Sequence, residues 1–142
     1  MLSIAHYDQS YIDACREKVD RQLHAFDELA AAAAASGDAR VQGALAAFEP
    51  RFCNHMLLAL DEYFCHRARG KEGKDGNPLN EVRVLANSIM SHDGVLTPDA
   101  TIRLDPSKSV LKHAEGEDIA LSATDVRLLS EAFFSEIETK YR

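Results

Sequence analysis

Phe52-Cys53-Asn54-His55-Met56-Leu57-Leu58-Ala59-Leu60-Asp61-Glu62-Tyr63-Phe64 is the most hydrophobic stretch of the chain. Its apolar side chains recur at three- and four-residue steps and cover about half of a helical cylinder, more than a surface helix needs. A helix that is apolar over so wide an arc must be touched on several sides. The stretch therefore predicts a central helix in a helical core. That helix is expected over residues 39–68, with Asp38 as N-cap. Pro50 falls inside it, removes one backbone donor and crowds the preceding turn, so a kink or short break is expected near Glu49.

Toward the N-terminus, Ile12, Cys15, Val19, Leu23, Phe26, Ala30 and Ala33 give one apolar stripe. They predict a first helix from about Asp8 or Ser10 to Ser36, stopped by Gly37. The six alanines from Ala30 to Ala35 are strong helix formers that allow close approach of a neighbour. Toward the C-terminus, Asn77-Pro78 pairs a favoured N-cap with a proline at the first helical position, where its missing N–H costs nothing. The third helix follows, with Leu79, Val82, Leu85, Ala86 and Ile89 inward. Ser122-Ala123-Thr124-Asp125 resembles a capping box and opens the last helix, with Val126, Leu129, Phe133 and Ile137 as its stripe. Between these two helices, residues 101–104, 110–112 and 118–121 are short strand-like runs divided by turns. A small antiparallel β-insertion over about 95–121 is expected, with an irregular loop as the alternative. The fold predicted is mainly α: a single four-helix bundle-like domain over 1–142 with that β-insertion before the last helix.

The 142 residues suit one domain with a substantial core, and 46% apolar with 27% charged content is that of a globular chain. A formal net charge of −7 disfavours nucleic acid as a partner, because phosphate contact needs a basic footprint. No apolar run approaches the ~20 residues of a membrane span, and the first residues lack the pattern of a signal peptide. Three cysteines without a CxxC suggest no disulfide framework. A cytoplasmic location without membrane association is the expectation.

Chemistry concentrates in His66-Arg67-Ala68-Arg69-Gly70-Lys71-Glu72-Gly73-Lys74-Asp75-Gly76-Asn77-Pro78-Leu79-Asn80-Glu81-Val82-Arg83. Five basic side chains meet three acidic ones there, while the remaining residues carry eleven basic and twenty acidic. A helix start offers free N–H groups and a partial positive charge to a carboxylate or phosphate, and arginine grips an oxyanion through paired hydrogen bonds. Arg67, Arg69, Lys74, Asn77, Asn80 and Arg83 are therefore the candidate ligand-binding residues, with a small anionic ligand or an acidic partner segment as the occupant. Glu72, Asp75 and Glu81 set the opposing expectation of a structural network. In it Glu72 or Asp75 pairs with Arg67 or Arg69, and Glu81 pairs with an arginine from another element. Such a network would order the loop or fix a homodimer with no ligand at all.

Metal chemistry has a weaker basis. On an unbroken helix at about 100° per residue, His55, Glu62 and His66 lie within roughly 40° of one another. His55 and His66 would then be about 16 Å apart along the axis, too far to share an ion, although Glu62 and His66 would be within reach. They are the candidate metal ligands of an alternative metal-dependent or acid–base enzyme, with Asp61 nearby. Cys65 and His66 are adjacent on a helix and point apart, so they form no catalytic pair. The glycines at 70, 73 and 76 match neither a P-loop nor a dinucleotide fingerprint. No cofactor is indicated, and a non-enzymatic protein is favoured.

Tyr63-Phe64-Cys65-His66-Arg67-Ala68-Arg69 and the string from Glu72 to Arg83 resemble an uncharacterised family of small bacterial proteins. Thr101-Ile102-Arg103-Leu104, Ser109-Val110-Leu111 and residues 132–138 resemble it too. The resemblance spans about residues 50–140 and implies a stand-alone cytoplasmic bacterial protein. It brings no activity, cofactor or catalytic residue with it.

Overall fold

Five helices carry the chain in the computed structural model, which describes residues 2–142. They are α1 (Gln9–Ser36), α2 (Ala39–Tyr63), α3 (Arg69–Glu72), α4 (Pro78–Ser91) and α5 (Ala123–Tyr141). The four long ones correspond to the four expected from periodicity, and α3 is a single turn inside the charged stretch. On α1 the buried positions Ile12, Cys15, Val19, Leu23, Phe26 and Ala33 follow the predicted stripe. Gly37 closes the helix at φ 65°, a left-handed conformation that an L side chain adopts at a cost. Asp38 accepts from the N–H groups of Arg40 and Val41, and Ser122 with Asp125 forms a complete capping box at α5.

α2 is central, bordered by α1, α4 and α5. Cys53, Met56, Leu57 and Leu60 are buried on it, and helical conformation continues through Pro50, so the expected break near Glu49 does not form. Phe64, just past its end, is fully buried and anchors the aromatic core. Its ring meets Tyr7 edge-on at 4.9 Å and lies 5.6 Å from Phe133. Burying one such side chain stabilises the fold by about 1.5–3 kcal/mol.

Two expectations are corrected. The second helix ends at Tyr63, five residues before Ala68, because the N-terminal segment claims the backbone beyond it. The Ile4 N–H donates to the His66 carbonyl and the Ala68 N–H donates to the Ile4 carbonyl, both at 2.8 Å, forming a parallel bridge beside Arg67. The Tyr141 hydroxyl adds a bond to the Ala68 carbonyl, so both chain ends clamp this turn.

The β-insertion over 95–121 is the second correction. Among the described residues the segment contains one isolated bridge, Val95 with Asp118, and otherwise turns. Asp99 and Asp105 fold the backbone onto their own carboxylates, through Thr101 and Ser107. Helix side chains satisfy much of the remainder: Asn54 takes the Leu121 N–H and gives to the Ile119 carbonyl. Ile102, Ile119 and Leu121 are buried one at a time, not as a strand face. No helix among the described residues is long and apolar enough to cross a membrane.

Candidate functional site

The charged stretch folds around one carboxylate. Glu72 is fully buried on α3 and receives Arg67 Nε at 2.7 Å, Arg83 Nη2 at 2.7 Å and Asn80 Nδ2 at 2.8 Å. Arg67, also without solvent contact, spends its other nitrogens on Asp61 at 3.0 Å and on the Phe64 and Leu79 carbonyls. Its guanidinium carbon lies 5.4 Å from the Phe133 ring centre. A guanidinium buried this completely needs its donors met, and each of the three nitrogens here has at least one acceptor. Burial pushes the Glu72 pKa upward, but the Arg83 hydrogen bonds and the charges of Arg67 and Arg83 outweigh it, and the pKa lies below the ordinary glutamate value. Burial likewise opposes the charge of Arg83, and bonding to Glu72 overcomes it.

The start of α4 is occupied by its own cap. Asn77 Oδ1 accepts from the N–H groups of Leu79 at 2.9 Å and Asn80 at 3.2 Å, while its Nδ2 donates to Asp75 and to the Glu72 carbonyl. Asn80 is buried, with its oxygen on the Gly76 N–H and its nitrogen on Glu72 and the Gly73 carbonyl. Gly76 sits at φ 84° against Arg103, where an added Cβ would lie 2.3 Å from the carbonyl oxygen. The expected oxyanion seat at this helix start is therefore filled by protein groups. Asp75 bonds Asn77 and pairs with neither Arg67 nor Arg69. Glu81 pairs with no arginine; its two oxygens take the Val110 and Leu111 N–H groups at 2.8 and 2.9 Å and fasten the 95–121 segment to α4. Burial raises its pKa against those two bonds.

Two of the six candidate ligand-binding residues reach an open cleft of about 650 Å³ between α2 and α4. Arg69 stands at its rim and forms no ion pair among the described residues. Arg83 lies in its wall, held along one edge by Glu72, with Nη1 free of any partner among the described residues. Asp61, Glu62 and Asp99 share that end. Hydrogen bonds from the Thr101 hydroxyl and N–H, and then the charges of Arg69 and Arg83, hold the Asp99 carboxyl below its ordinary range. Leu58, Ala59, Ala86 and Met90 make the apolar part, with Asn87 and Thr97 as polar points. Of the remaining candidates, Lys74 is exposed and outside the cleft, while Arg67, Asn77 and Asn80 are committed to the network.

The three metal candidates are not all brought to one point. Because α2 stops at Tyr63, Glu62 and His66 lose their helical spacing. Glu62 and His66 both line a second cavity of about 410 Å³, with His6, Tyr11 and Cys65, while His55 is exposed and bonded to the Arg51 carbonyl. Among the described residues no three His, Cys, Asp or Glu side chains are placed to hold one ion. At Cys65 burial first, then the charge of Glu62 and a hydrogen bond to it, raises the thiol pKa, which is opposite to what a nucleophile requires.

The cleft residues Leu58, Ala59, Asn87, Met90 and Asp99 carry little signal in the sequence. Ala59 and Ala86, small side chains on facing helices, leave the gap. Asp99 arrives from a segment that reads only as a turn. No protein-family model, curated protein or solved structure matches the chain.

Proposed function

We propose that this is a non-enzymatic binding protein whose α2–α4 cleft takes a small ligand by its anionic group, between Arg69 and Arg83. A cytoplasmic setting is part of the proposal. The observation that carries it is the state of Arg83: Glu72 holds the guanidinium through Nε and Nη2, Nη1 has no partner among the described residues, and the side chain lines the cleft. A cation oriented before the ligand arrives loses less freedom on binding, and arginine presents parallel donors to a carboxylate or phosphate. Arg69 supplies a second cation that has no ion-pair partner among the described residues. The cleft volume falls in the range of small-molecule sites, about 300–1,000 Å³. An acidic segment of another protein, with its carboxylate seated at the same place, is the other occupant these groups suit.

A thermal-shift screen of carboxylated and phosphorylated metabolites tests the proposal, with Arg69→Ala run beside wild type. The expected result is a salt-sensitive stabilisation that disappears in the variant. Arg69 is the informative position, since replacing Arg83 would also strip a partner from buried Glu72. A hit that survives Arg69→Ala unchanged, or no hit at all, counts against the cleft.

A further inference from the structure

The wall of the cleft is not simply basic. Two guanidiniums, Arg69 and Arg83, face three carboxylates, Asp61, Glu62 and Asp99. Arg83 is already half engaged by Glu72, and Asp61 accepts from Arg67 through Oδ1 alone, leaving its second oxygen without a partner among the described residues. Asp99 likewise commits Oδ1 to Thr101 and leaves Oδ2 unbonded. Glu62 is exposed, lines both this cleft and the neighbouring cavity, and is hydrogen-bonded to the Cys65 thiol. A ligand bearing only negative charge would meet Arg69 and one edge of Arg83, but it would also meet three carboxylates within the same cavity. Like charges at that range oppose binding, and the desolvated carboxylates would gain nothing in return.

Building on the proposed binding role, we infer that the ligand is a zwitterion: an α-amino acid with an apolar side chain. Its carboxylate lies between Arg69 and Arg83, its ammonium group toward the free oxygens of Asp61 and Asp99, and its side chain along Leu58, Ala59 and Met90. Each part meets what it lacks. The guanidiniums give parallel donors, the ammonium has three donors for free carboxylate oxygens, and the apolar arm covers α2 and α4 surface otherwise in water. The cleft separates these functions along its length, since Arg83 and Asp61 lie at the α3 end and Met90 falls two turns farther along α4.

Calorimetric titration of the full chain with L-leucine, L-methionine and L-phenylalanine tests this. The N-acetyl derivatives (anion only), the amino acid amides (cation only) and inorganic phosphate serve as comparisons. At least one parent amino acid is expected to bind, with the N-acetyl and amide forms each weaker by about tenfold or more, the loss of one charge-assisted contact. Arg69→Ala should abolish the preference for the parent over its amide, and Asp99→Asn should weaken its preference over the N-acetyl form. Both variants change side chains outside the buried network, and circular dichroism checks that they fold. An N-acetyl derivative or phosphate that binds as tightly as any parent overturns the zwitterion and leaves the anion-binding proposal standing. Failure of every amino acid overturns the zwitterion as well, and if the metabolite screen is also silent, both fall.

Discussion

Arg67 donates from Nε to Glu72 at 2.7 Å, and both side chains are wholly withdrawn from solvent. The pair joins the turn after α2 to α3, and Arg83 and Asn80 extend it to α4. Removing one member of such a pair leaves an uncompensated buried charge, which costs about 3–5 kcal/mol. Glu72→Ala should therefore lower the unfolding free energy by that amount in urea denaturation, as should Arg67→Ala. The double variant should cost less than the sum, because the two groups depend on one another. A single-variant loss below about 1 kcal/mol, typical of an exposed pair, would show the network to be solvated.

The same carboxylate sets an acid limit. Its pKa is lower in the folded protein than the ordinary value near 4.5, so the unfolded chain takes up this proton first as pH falls. Stability from Glu72 is then fully present above about pH 4.5 and is lost as pH drops through the lower folded value. Glu72→Gln should flatten this part of the acid limb in a stability–pH profile, and an unchanged profile would assign it to other carboxylates.

Gly76 should tolerate no side chain. Gly76→Ala combines φ 84° with a Cβ 2.3 Å from the Arg103 carbonyl oxygen, and that oxygen belongs to the backbone. Its destabilisation should exceed the roughly 1–2 kcal/mol of left-handed strain alone. Gly70→Ala, whose Cβ would meet nothing within 4 Å, is the control and should stay within about 0.5 kcal/mol of wild type.

Asn54 pairs with the 119–121 backbone as a neighbouring strand would, with its nitrogen at 2.9 Å from one carbonyl and its oxygen 3.1 Å from one N–H. Asn54→Ala should cost about 1–3 kcal/mol by leaving both unpaired. Amide hydrogen exchange should report faster exchange at Leu121 before any change in α2.

How much of this was legible varies by region for physical reasons. The long helices could be read because their apolar spacing and their caps are local: the Ser122 capping box and the Asn77-Pro78 start are complete within a few residues. The end of α2 could not, since Ile4, remote in sequence, takes the backbone just beyond it. Residues 110–112 and 118–121 have strand composition, yet Glu81 and Asn54 satisfy the backbone that a strand partner would otherwise take. At the site, Arg69 and Arg83 of the basic stretch line the cleft. Which arginine turns inward depends on Glu72 being buried, and an isolated glutamate on a glycine-broken loop gives no sign of that. Asp99 joins the cleft only through the tertiary fold.

The central claim, that the cleft and not the start of α4 receives the ligand, is tested most directly by amide-resolved NMR. The protein is titrated with the strongest binder from the metabolite screen. Shifts should concentrate at Ala59, Glu62, Arg69, Asn87 and Asp99, around the cavity. The Leu79 and Asn80 amides, already bonded to Asn77, should stay still. Shifts centred on Leu79 and Asn80, with the cleft amides unmoved, would contradict the account.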